Sequence, residues 1–99
     1  MTDEATIIKH FESYISRNGG GYPDWYVGIA EAPKNRLFED HNVGEKGGKW
    51  IYEDAGSRSA AETVEAYFVK TRSTKGGLGG GSDSTKSVYA YRIGSYTKE

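Results

Sequence analysis

Aromatic side chains have to supply much of the core of this chain. Its 99 residues include eight Tyr, two Trp and three Phe, whereas Ile, Leu, Val and Phe together number only 16. That aliphatic share lies under the roughly 20% below which a chain of high net charge stays disordered. The charge half of that signature is missing. Thirteen Lys and Arg face 14 Asp and Glu, a formal net of −1. Each buried Tyr or Trp removes about 150–250 Å² from water, so an aromatic-rich, partly polar core is expected. A single domain over residues 1–99 follows. Its stability should be modest, because a domain this small buries only about 60–70% of its chain surface.

Composition also narrows the chemistry. The chain has no Cys, which removes disulfides, thiol nucleophiles and cysteine-ligated zinc. His10 and His41 are too few for a His-rich metal centre. The near balance of charge argues against a cationic coat and leaves local basic patches open. No run approaches the roughly 18 apolar residues of a membrane span. The acidic start, Met1-Thr2-Asp3-Glu4, does not read as a secretory signal. A cytoplasmic protein with no membrane partner is expected.

Hydrophobic spacing predicts the elements. Ile7, Ile8, Phe11, Tyr14 and Ile15 form one apolar stripe of a helix over 2–17, stopped by Gly19-Gly20-Gly21. Residues 25–30 alternate as a strand, with Trp25, Val27 and Ile29 on one face and Tyr26, Gly28 and Ala30 on the other. Gly28 beside Tyr26 lets another group approach the backbone closely. Pro33 opens a short helix to about His41. A short strand follows over 50–53. Ser59-Ala60-Ala61-Glu62 then reads as a capping box opening a third helix, with Ala61, Val64, Phe68 and Val69 on one side. Residues 75–87 form a Gly-rich loop, and 88–93 a last strand with Tyr89, Tyr91 and Ile93 on one face. The fold class is therefore α+β: a small three-stranded, mostly antiparallel sheet flanked by about three helices.

A few residues stand out for chemistry. Glu65 lies on the apolar stripe of the third helix, where a carboxylate is costly unless it is paired or binds a cation. The plainer alternative is a flank position from which it reaches water or a basic group. Arg36 and Asp40 share a helix face at i, i+4, either as a weak surface ion pair or with the Arg36 fork free for an anion. Lys70, Arg72 and Lys75 make a basic run. It reads as a solvated helix end or as a contact to a nucleic-acid backbone. His41, between Leu37 and Phe38, reads as a hydrogen-bonded semi-core histidine. The Gly-rich loop lacks the Lys-Ser ending of a phosphate-binding loop and reads as a connection.

Tyr26-Val27-Gly28, then Arg36-Leu37, then Ala61 to Glu65 with Phe68-Val69, together resemble the GIY-YIG endonuclease superfamily. The resemblance covers about residues 22–70, after an N-terminal helix over 1–18. The step from Gly28 to Arg36 matches the family's spacing, and Glu65 matches its metal-binding glutamate. Three departures accompany it. The opening Gly-Ile-Tyr strand is missing, since Gly21-Tyr22 is too close and Pro23 would break it. His41 is five residues after Arg36 rather than four. The chain begins with a helix in place of a hairpin. Val88-Tyr89-Ala90-Tyr91 looks like the missing strand moved to the C-terminus, as in a circular permutation.

The resemblance implies metal-assisted hydrolysis of phosphodiesters. Tyr26 would place or activate water, Arg36 would stabilise charge on the phosphate, and Glu65 would hold one Mg²⁺ or Mn²⁺. Tyr89, Tyr91 and His41 are additional site residues, and Lys70, Arg72 and Lys75 would contact DNA or another nucleic acid. The alternative is a catalytically inactive module of the same kind that binds nucleic acid or a protein partner. A purely structural interaction domain, with Arg36 and Glu65 as ordinary charges, is the third reading.

Overall fold

The computed structural model describes residues 4–18, 21–44, 48–76, 85–94 and 97. Helix α1, Glu4–Asn18, buries Ile7, Phe11 and Ile15, the centre of its expected stripe. The Asn18 side-chain amide donates to the Tyr14 carbonyl at 2.8 Å. That side-chain bond folds Asn18 back onto the last turn of the helix. A 3₁₀ turn, Tyr22–Asp24, leads into strand β1, Trp25–Ala30. Helix α2 begins as Pro33–Asn35 and runs on as a π-helical segment, Arg36–Asp40. Strand β2 is Trp50–Asp54. Helix α3, Arg58–Ala66, also continues as a π-helical segment, Tyr67–Thr71. Strand β3, Ser87–Arg92, comes last.

The start of α3 corrects the expected capping box. Ser57, not Ser59, is the cap, and its hydroxyl accepts from the Ala60 N–H at 3.1 Å. The turn before it sets this position. Gly56 sits at φ 85°, and its N–H donates to the Asp54 carboxylate at 2.7 Å. Only glycine adopts that φ without strain, so the chain enters the helix two residues early. The Gly-rich loop falls mostly on residues outside the described set, as does the expected stop at Gly19 and Gly20.

The sheet has the order β1-β3-β2, antiparallel throughout. The C-terminal strand is therefore the central one. It pairs Tyr26 with Tyr91 and Gly28 with Tyr89 on one side, and Trp50 with Tyr91 and Tyr52 with Tyr89 on the other. The expected place of β3 beside the Tyr26 strand is observed. Along the outer edge of β1, the Lys75 N–H donates to the Trp25 carbonyl at 2.8 Å, and the Val27 N–H donates to the Lys75 carbonyl at 2.9 Å.

Side chains alternate across the sheet and build two apolar layers. Trp25, Val27, Val88 and Ala90 pack with Ile7, Phe11 and Ile15 of α1 and Ala61, Val64 and Phe68 at α3. Tyr89 and Tyr91 on the other face pack with Leu37 and Val43, and Tyr26, Phe38, Trp50 and Tyr52 join them in part. The second layer is mostly aromatic, in keeping with the composition.

Candidate functional site

The aromatic layer gathers its rings around one histidine. His41 is only 6% exposed. Its Nε2 lies 2.7 Å from the Tyr89 hydroxyl and its Nδ1 lies 3.1 Å from the Tyr91 hydroxyl. The Tyr26 ring is 4.7 Å from the imidazole and stacks on Tyr91 at 5.3 Å. A neutral imidazole has one N–H donor and one acceptor nitrogen. One tyrosine hydroxyl therefore accepts from His41 while the other donates to it. The three groups form an ordered polar chain inside a dry aromatic layer.

Gly28 makes room for this arrangement. A Cβ there would stand 2.6 Å from the Tyr89 hydroxyl and 2.7 Å from the ring carbon that bears it. The Tyr89 phenol lies across the β1 backbone at the point where a side chain is missing. That is the close approach expected at Gly28, and the approaching group is Tyr89.

Arg36 is exposed. The π-helical segment ties it to the cluster, because the His41 N–H donates to the Arg36 carbonyl at 2.9 Å. In an α-helix the fifth residue onward points well away from the first. A π turn bonds i to i+5 and brings His41 one turn below Arg36. The segment ends on Asn42 at φ 56°, and the Val43 N–H bonds to the Leu37 carbonyl at 2.8 Å. The Asp40 side chain is outside the described set, and the expected Arg36–Asp40 pair lies there with it.

Glu65 is 1% exposed. The flank position reaching water is therefore excluded, and Glu65 is a carboxylate inside the protein. It belongs to the helix on the α1 side of the sheet, whereas Arg36 belongs to the helix over the aromatic face. Among the described residues no three His, Cys, Asp or Glu side chains gather as a metal cage.

The basic run divides. Lys70 and Lys75 are exposed, but Arg72 is engaged within the fold. Its Nη2 lies 2.7 Å from Glu12 Oε2, and its Nε lies 3.0 Å from the same oxygen and 3.0 Å from the Tyr67 hydroxyl. The guanidinium also covers the Tyr22 and Tyr67 rings at 5.3 and 5.7 Å. Glu12 holds the Tyr67 phenol above its ordinary pKa by accepting its hydrogen bond, with burial adding to the shift, and raises Arg72 in the same way. Arg72 thus joins α1 to the end of α3. Nothing in the local sequence marks this latch, because Glu12 is far away along the chain.

The His41 bridge between two tyrosines was also not legible locally, although the parity of 26, 28, 89 and 91 already put these residues on consistent strand faces. A separate groove of about 380 Å³ opens on the α1 side, lined by His10, Tyr14, Arg17, Ile51 and Glu53 among others. His10 Nδ1 lies 2.9 Å from a Glu53 oxygen there. No helix among the described residues is long and apolar enough to cross a membrane. No protein-family model, no curated protein and no solved structure matches the chain.

Proposed function

We propose that this protein hydrolyses phosphodiester bonds in nucleic acid with the help of a divalent metal, as a permuted relative of the GIY-YIG endonucleases. One observation carries the reading. The C-terminal strand lays Tyr89 across Gly28, so that tyrosines of two paired strands and His41 form one cluster a π turn from an exposed arginine. The resemblance itself rests on Tyr26-Val27-Gly28, Arg36-Leu37 and the helix from Ala61 that carries Glu65, and this cluster contains the first of these.

The roles follow from the chemistry of the side chains. Arg36 binds the phosphate with its planar fork and balances the charge that grows on it. Tyr26, as its phenolate, takes a proton at Oη from the water that attacks phosphorus, and the P–O bond to one sugar oxygen breaks as that oxygen leaves and takes a proton from solvent. A phenol with an ordinary pKa near 10 needs a neighbouring cation to do this near neutral pH. His41 fixes the Tyr89 and Tyr91 hydroxyls and so holds the wall against which Tyr26 stacks. Mg²⁺ keeps several waters and takes one or two carboxylates along with substrate phosphates. The resemblance gives that place to Glu65, but Glu65 is 1% exposed and sits on the α1 side of the sheet, across from Arg36, where it does not fit a hydrated cation.

The depth of Glu65 favours a second reading. A carboxylate only 1% exposed is hard for a hydrated cation to reach, as in a module that binds nucleic acid without cutting it. A cleavage assay separates the two. Plasmid, single-stranded and branched DNA are incubated with Mg²⁺ or Mn²⁺, with Glu65→Ala as control. Metal-dependent cleavage by the wild type and none by the variant is the expected result. Intact DNA with both metals would leave the binding module.

A further inference from the structure

The aromatic face does not end at His41. In the same cross-strand rows, Tyr91 is followed by Trp50 and Tyr89 by Tyr52 on β2. Trp50 and Tyr52 are nearly parallel, 11° apart with centroids at 6.0 Å, and the Phe38 ring meets Trp50 edge-on at 5.1 Å. All three rings are half-buried, so each keeps part of its surface for a ligand. Charge frames them. Lys34 Nζ lies over the Tyr52 ring at 5.9 Å, within the range of a cation–π contact. Lys34 and Lys49 are both exposed, Lys49 directly before Trp50. Glu39, exposed on the π-helical segment that follows α2, partly offsets them.

We infer that Trp50 and Tyr52, with Phe38 behind them and Lys34 beside them, form a stacking platform for unpaired bases. The ligand is then single-stranded nucleic acid, or the unpaired part of a branched one. The inference rests on the reading that this face meets nucleic acid, and it adds which form of it. Every base has a π face, so stacking on aromatic rings is indifferent to sequence, and a basic flank tracks the backbone. A net charge of −1 gives the molecule no overall attraction for a duplex backbone, whereas stacked rings supply binding that needs few cations. In a duplex the bases already stack on each other and offer this platform nothing.

Tryptophan fluorescence reports on the platform directly, since Trp25 is fully buried and Trp50 is not. The full-length protein is titrated in EDTA with a short oligothymidylate and, separately, with a duplex of equal length. The single strand should quench Trp50 at a lower concentration than the duplex. Only a shallow salt dependence is expected, of about one or two released counterions. Tyr52→Leu should weaken single-strand binding about tenfold, as loss of one stacking ring does, and leave weak duplex binding unchanged. Failure of the single strand to quench, or equal binding of strand and duplex, overturns the inference. The wild-type titration decides even where Tyr52→Leu does not fold. Because EDTA removes metal, quenching without cleavage in the metal-containing assay retires the hydrolytic reading and keeps the platform. Cleavage without quenching does the reverse.

Discussion

Gly28 and Tyr89 face each other across β1 and β3, and each explains the other. The phenol occupies the space where a Cβ at position 28 would come within 2.6 Å of its oxygen. Gly28→Ala should therefore push Tyr89 aside and break its 2.7 Å contact with His41. A loss of about 1–3 kcal/mol is expected, typical of overpacking a tight interior. Tyr89→Phe removes the hydroxyl and leaves a buried imidazole nitrogen to find another partner, at a cost of about 1–3 kcal/mol. Denaturant melts of both variants check this, and a neutral Gly28→Ala would contradict the geometry. The sequence made the Gly28 gap legible, because a glycine in a strand beside a tyrosine signals close approach. The approaching group was not legible, because Tyr89 reaches Gly28 only through pairing that closes most of the chain. Glu65 was legible as a carboxylate on an apolar stripe, and its burial follows from the packing of Ala61, Val64 and Phe68 around the same helix face.

Helices α2 and α3 share one design. Each begins as an α-helix, widens into a π turn and stops on a non-glycine residue at positive φ, Asn42 or Ser73. The start of α2 could be read from Pro33, whereas the sequence pattern puts that of α3 two residues late, at Ser59 in place of Ser57. The π turns could not be read, because they depend on packing: one sets His41 under the sheet tyrosines, the other carries Arg72 back to Glu12. The Glu12–Tyr67–Arg72 latch that closes the second helix gives a pH signature. Tyr67 has a raised pKa because Glu12 accepts its hydrogen bond. The folded protein therefore holds that proton more tightly than the unfolded chain. The latch contributes fully below the ordinary tyrosine pKa of about 10, and its contribution is lost as pH rises through the higher folded value. The wild-type melting temperature should fall more steeply above pH 10 than that of Tyr67→Phe. Parallel curves would remove Tyr67 from the latch.

The whole sheet depends on its last strand. Among the described residues β1 and β2 do not pair with each other; each pairs with β3, and β1 carries only the isolated Lys75 bridge on its other edge. The amides of β3 should exchange with solvent most slowly, close to the rate set by global unfolding. A chain ending before Ser87 should not fold, by circular dichroism. Fast exchange across residues 88–91 would contradict the topology. Strand parity and the aromatic count made the two-layer α+β plan legible. The order β1-β3-β2 needed the added idea that a C-terminal strand stands in for one missing at the start, since hydrophobic pattern fixes faces and not neighbours.

In the proposed function the tyrosine–histidine cluster and Arg36 act together on a phosphodiester. Arg36 offers the cleanest test, because an exposed side chain can be removed without disturbing the core. The measurement is the single-turnover rate of branched-DNA cleavage in Mg²⁺ for the wild type and for Arg36→Ala, with the melting temperature of each recorded alongside. A rate about 10²–10³ lower in the variant is expected, the usual cost of deleting one group that stabilises transition-state charge, with the variant still folded at the assay temperature. Equal rates in the two proteins, or no cleavage by the wild type, would contradict it.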